Sequence, residues 1–127
     1  MIEASREDER LVDQRLRNRL IEQLESFAEG RAHLYDVGYA EYFESFFDFA
    51  PYEGEMPSNA ATTISERQAV AVFLALAQEA CATTPGKMPE ADFARTGWPD
   101  RLAVAAGQCL EAFAARGRLS EDSLDLT

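Results

Sequence analysis

The chain has 127 residues, 46% of them hydrophobic, and a formal net charge of −11. One domain's length with an ordinary apolar share argues against a disordered chain, and it buries enough surface to fold without metal or disulfide. The acidic balance argues against nucleic acid or an anionic membrane as partner, since both need excess Lys and Arg.

A first helix is predicted over 6–29, opened by Ser5 with Asp8 three residues on. Val12, Leu16, Leu20, Leu24 and Phe27 recur on one face, widened by Leu11 and Ile21, and Gly30 suits the stop. Residues 31–37 read as a connector. A second, aromatic helix is expected over 39–49, with Tyr39, Phe43, Phe46, Phe47 and Ala50 facing the core. Pro51, Gly54, Pro57, Ser58 and Asn59 make 51–63 a loop.

A third helix should open at Ser65, with Gln68 completing a capping box and Ile64 stapled onto Ala69. Its stripe is Val70, Phe73, Leu74, Ala77 and Cys81. Being apolar on most sides, the helix at 66–82 is expected at the centre. Thr83, Thr84, Pro85 and Gly86 break it. Pro89 suits the first position of a short helix to Arg95, and Pro99 does the same for a last long helix. That helix faces inward with Leu102, Ala106, Cys109, Leu110 and Phe113 and stops at Gly117. Trp98 staples the two helices together.

No stretch alternates as a strand would. The fold class is therefore all-α, a single-domain bundle of about five helices over 1–119, with an acidic, frayed tail at 120–127. No apolar run reaches the roughly 18 residues of a membrane span, and the charged first ten residues do not read as a signal peptide. Cys81 and Cys109 lack metal spacing and read as reduced, buried thiols. Eleven of the twelve basic residues are Arg and alanine is abundant, which suits a GC-rich bacterial coding bias. The expected location is the cytoplasm.

Charge is unevenly spread. Residues 32–66 contain no Lys or Arg and seven acids: Asp36, Glu41, Glu44, Asp48, Glu53, Glu55 and Glu66. The same stretch holds eight of the thirteen aromatic residues, among them Tyr35, Tyr39, Tyr42 and Tyr52, which are all the tyrosines. Glu41, Glu44 and Asp48 fall at i, i+3 and i+7 and share a helix face. The plain reading is a solvated face behind an aromatic core. The sharper one is a docking surface for a basic protein. The acids would supply the field and the tyrosines the anchors. The candidate contact residues are Tyr35, Asp36, Tyr39, Glu41, Tyr42, Glu44, Asp48, Tyr52, Glu53 and Glu55.

Other chemistry is thinly signalled. His33, the only histidine, lies in the connector without a nucleophile motif near it and reads as structural. The glycines form no phosphate-binding loop, and the carboxylates form no calcium loop. Arg15, Arg17 and Arg19 make a small basic strip diluted by Asp13 and Glu22. No catalytic residue, cofactor or metal ligand is assigned.

Two segments carry a resemblance. One is Thr96-Gly97-Trp98-Pro99-Asp100-Arg101 with the run from Ala115 to Asp122. The other is the run from Glu41 to Asp48 with Asn59 and Ile64-Ser65-Glu66. Together they resemble a group of small acidic bacterial helical proteins of unknown function, similar in size and charge to immunity proteins. The resemblance implies a bacterial cytoplasmic helical domain and no particular activity.

The leading expectation is an acidic protein–protein interaction module, of the immunity or inhibitor kind, that neutralises a basic partner. A self-associating domain with the aromatic helix as a homodimer seam is the second. An enzyme using carboxylates or a bound metal is the third.

Overall fold

The computed structural model describes residues 2–47, 59–84 and 87–124, leaving aside the side chains of 2–7 and of Ser45. Five helices follow in order: α1 Ile2–Ala28, α2 Arg31–Phe47, α3 Ile64–Thr83, α4 Glu90–Arg95 and α5 Trp98–Ala114. They form one all-α bundle. The described residues include no helix long and apolar enough to cross a membrane.

The expected connector at 31–37 is helical. Gly30, at φ 65°, ends α1, and the chain re-enters a helix at once. Gly38, at φ 84° and ψ 162°, then kinks α2 into two pieces. Only glycine takes that conformation without strain. The pieces bury different residues: His33 and Leu34 before the kink, Tyr42, Phe43 and Phe46 after it.

Phe27 of α1 is the hub of the core. Its ring meets Tyr42 at 5.0 Å, Phe46 at 5.6 Å and Phe73 of α3 at 5.2 Å, mostly edge to face. Phe93 of α4 closes the cluster against Tyr39 at 5.0 Å and Tyr42 at 5.4 Å. Such pairs add about 0.5–1.5 kcal/mol each beyond area burial.

The centre of the bundle belongs to α5 rather than to the 66–82 helix. α5 packs against α1, α2, α3 and α4. α3 leaves Ala71, Val72 and Ala75 in solvent, Val72 at 73% exposure. Small side chains made α3 look apolar all round, but they expose little surface at little cost. α5 buries Leu102, Ala106, Cys109 and Phe113 as its spacing predicts. Gly97, at φ 84°, turns the chain from α4 into α5, with Trp98 and Pro99 in the first turn. Arg101 lies 4.1 Å over the Trp98 ring.

Two expectations for α1 and α3 fail for one reason. The N-terminal half of α1 buries Gln14, Arg17 and Asn18, while Val12 and Leu16 face solvent. The cap of α3 is Thr63, not Ser65. Its hydroxyl accepts from Glu66 N at 3.1 Å, and the Glu66 carboxylate accepts from Thr63 N at 3.0 Å. Ile64 therefore lies in the first turn, exposed, and staples nothing. The reason is the partner of Glu66. Arg17 grips it with two parallel bonds, Nε to Oε1 at 3.1 Å and Nη2 to Oε2 at 2.7 Å. Arg116 adds Nη2 to Oε1 at 2.6 Å. Arg17 is fully buried, Glu66 is 1% exposed, and Arg17 stacks 4.9 Å over Phe113.

The remaining polar residues of α1 hold two irregular segments. Asn59 donates to Asp13 O at 3.0 Å, and Asp13 Oδ2 accepts from Ala60 N at 2.9 Å. On the other flank, Asn18 pairs both ways with the backbone of Leu119, at 2.8 and 2.9 Å. Gln14 donates to Ser120 O at 2.8 Å and Ser123 O at 2.9 Å. Arg19 pairs with Glu121, and Arg118 reaches Glu22 and Glu25 at 2.7 Å each. So 119–123 is bonded to α1, where the sequence pattern suggests fraying; residues 125–127 lie outside the described residues. Arg15 and Arg19 bind this segment and Arg17 binds Glu66, so the basic strip is spent inside the fold.

Burial acts most strongly on the Glu66 carboxyl and pushes its pKa up. Hydrogen bonds from Arg17, Arg116 and Thr63 N outweigh it and hold the carboxyl below its ordinary 4.5. A depressed folded value means its stabilisation is complete above pH 4.5 and lost as pH falls through the folded value. Glu66→Ala leaves the buried Arg17 charge without a counter-charge and should cost about 3–5 kcal/mol in urea unfolding at neutral pH. Glu66→Gln should also flatten the acid limb of the stability curve. Gly38→Ala should cost about 1–3 kcal/mol by the same measurement, because a Cβ there takes a forbidden φ and sits 3.4 Å from Glu90 Oε1.

Candidate functional site

Of the ten residues expected at a docking surface, six are described; Asp48, Tyr52, Glu53 and Glu55 lie outside the described residues. The kink at Gly38 sorts the six. Tyr35 (58% exposed) and Asp36 project from the first piece of α2, Glu41 and Glu44 from the outer face of the second. Tyr39 is half-buried; its hydroxyl donates to Thr84 Oγ1 at 3.1 Å. Tyr42 is fully buried among Phe27, His33, Phe43 and Phe93. It cannot anchor a partner on the surface, because α2 needs its whole aromatic face for the core. Burial drives its phenol far above the ordinary tyrosine value, with the charge of Asp100 adding to it.

Electrostatically, the acids elsewhere among the described residues that take part in ion pairs differ from this face. Glu22, Glu25, Glu66, Asp92, Asp100 and Glu121 each meet an arginine. Among the described residues, none of Asp36, Glu41 and Glu44 is ion-paired. Glu66 belongs to the cation-free stretch in sequence but not to this surface. Glu29 at the end of α1, exposed, and Glu90 of α4, beside Gly38, extend the negative region onto neighbouring helices.

Phe43 and Phe46 are buried within the protomer, so a dimer seam built from them would require an opened core. Among the described residues no group of three His, Cys, Asp or Glu side chains converges as metal ligands do. Cys81 and Cys109 are free thiols, pushed by burial up to about 11 and about 12, well away from nucleophilic thiolates. A cleft of about 270 Å³ opens between α1 and α5, lined by Ile21, Leu110, Phe113 and Ala114, with Glu25, Gly117 and Arg118 completing it. Arg118 is already held by Glu22 and Glu25, so the cleft offers no free charge to a ligand.

Sequence reasoning missed the buried polar residues Gln14, Arg17, Asn18 and Glu66 and the half-buried Arg116 that joins them. One signal was present: Thr63 and Glu66 have capping-box spacing, and a glutamate there competes with Gln68. Among the described residues the exposed acids of α2 make no hydrogen bond or ion pair, so replacing Asp36, Glu41 and Glu44 together by amides should change stability by no more than about 0.5 kcal/mol in urea unfolding. Comparison with protein-family models, with curated proteins and with solved structures finds no match to this chain.

Proposed function

We propose that the chain is a protein–protein interaction module that docks a basic partner on the exposed acidic side of α2, in the manner of an immunity or inhibitor protein. One observation carries the reading. Asp36, Glu41 and Glu44 stand exposed and, among the described residues, without an ion pair, on the same helix as the exposed ring of Tyr35 and in 35 residues without a lysine or arginine. Ion-paired charges are largely spent on their partners, whereas unpaired like charges on one surface sum to a field that steers a cation-rich partner. Tyr35 supplies the flat, amphipathic ring that protein interfaces favour. The bias to arginine and alanine and the two unpaired thiols support a bacterial cytoplasmic setting.

The test is capture on the immobilised protein from bacterial lysate at low salt, followed by binding kinetics with the captured protein. A basic partner should bind at low salt and leave at high salt. The Asp36→Asn, Glu41→Gln, Glu44→Gln triple variant should slow its association about tenfold or more at low salt and flatten the salt dependence. Unchanged rate and salt slope in that variant would overturn the proposal.

A further inference from the structure

Residues 31–37 form about two helical turns between two glycines of positive φ, Gly30 at 65° and Gly38 at 84°. Within that span only His33 and Leu34 are buried; Arg31, Ala32, Tyr35, Asp36 and Val37 are exposed. The Arg31–Asp100 pair at 3.0 Å adds a surface tether, and exposed pairs are weak. The hold of this turn on the bundle therefore rests on two side chains.

One of the two is titratable. The His33 ring stands edge-on to Phe27 at 5.7 Å and lies against Tyr42 at 5.4 Å. Among the described residues its buried Nε2 has no hydrogen-bond partner, nor has the hydroxyl of Tyr42 on the neighbouring ring. Buried polar atoms nearly always have a partner. A neutral imidazole tolerates the omission, since Nε2 can remain proton-free. An imidazolium must place an N–H and a share of its full charge there.

We propose that His33 is a proton-operated latch. Neutral, it clamps the 31–37 turn onto Phe27 and Tyr42; protonated, it leaves the core, and Gly30 and Gly38 act as hinges for the turn carrying Tyr35 and Asp36. The charges around it come from each packed element. Glu29, just beyond α1, and Asp36 of α2 favour protonation. Asp100 of α5 is occupied by Arg31 of the turn itself, Glu90 of α4 sits at Gly38, and the Tyr42 phenol stays neutral. Burial is the largest effect and leaves the imidazole below its ordinary 6.5. The released ring titrates at the ordinary value. The closed turn is thus fully favoured above pH 6.5, and the open-to-closed ratio rises about tenfold per pH unit below it, down to the closed-state value. Loss of docking in acid would follow only on the reading of α2 given above; release of the turn does not depend on it.

The experiment uses the isolated protein. His33 is the only histidine, so its ring signals in NMR assign themselves. Ring titration and amide exchange are followed from about pH 7.5 to about pH 5, spanning the ordinary histidine range. The ring should titrate below 6.5. Exchange at 34–37, corrected for intrinsic chemistry, should rise about tenfold per pH unit while α5 stays protected. His33→Phe, or His33→Gln if the first does not fold, should abolish the response. Titration at the ordinary value with unchanged protection, release that persists in the uncharged variant, or loss of protection spreading into α5 would each overturn the latch. A released turn in a protein that binds no basic partner would leave the latch standing and overturn the docking reading alone.

Discussion

The Glu66 carboxylate, buried between Arg17 and Arg116, is the constraint on which the bundle's arrangement depends. It joins the middle of α1, the first turn of α3 and the chain just beyond α5 at one point. Removing the Arg17 and Glu66 charges from water is costly, and a network of this kind earns its place only when every donor and acceptor is engaged. That condition is met closely here. Both Glu66 oxygens accept from Arg17, the same oxygens accept from Arg116, and the cap of α3 adds Thr63 N. The spare donors go to carbonyls, Arg17 to Gly117 O and Arg116 to Ala61 O. The Arg17–Glu66 pair favours one placement of α1 relative to α3, because a helical turn of slip would leave the buried Arg17 charge without its carboxylate.

The network has a consequence for the surface. It draws α1 into the role of a polar spine, with Asp13 holding the segment at 59–60, and Gln14, Asn18 and Arg19 holding 119–123. The arginines are committed there or nearby: Arg17 and Arg116 to Glu66, Arg19 and Arg118 to acids of α1 and the 119–123 segment. These arginines are thereby neutralised within the fold, while Asp36, Glu41 and Glu44 of α2 stay exposed and, among the described residues, without an ion pair. The proposed docking face rests on that difference between paired and unpaired acids.

The aromatic residues of the same segment do opposite work. Tyr42, Phe43 and Phe46 pin the second piece of α2 to Phe27 and Phe93, leaving little of it able to move. The first piece, before Gly38, is held by far less. Firm and weakly held structure thus lie side by side within one helix, and the exposed Tyr35 rides on the weakly held part. Local opening is drawn from such regions, where few apolar contacts must be broken.

Much of the fold was legible because its determinants are local. The stops at Gly30 and Gly117, the turn at Gly97, the proline-opened α5 and the inward stripe from Leu102 to Phe113 are set by neighbours within a few residues. The kink at Gly38 was hidden because a glycine inside an apolar pattern marks a break without saying whether helix lies on both sides. The α1 face was misread at Val12 and Leu16 because periodicity counts apolar residues, and here the buried positions are Gln14, Arg17 and Asn18. The sequence by itself determined the helical class, the aromatic helix and the cation-free acidic stretch. Only the tertiary structure decided which charges are buried and which stand free. Arg17 and Glu66 lie 49 residues apart and Arg116 a further 50, and a charge is neutralised by what folding brings within about 4 Å of it, not by its sequence neighbours.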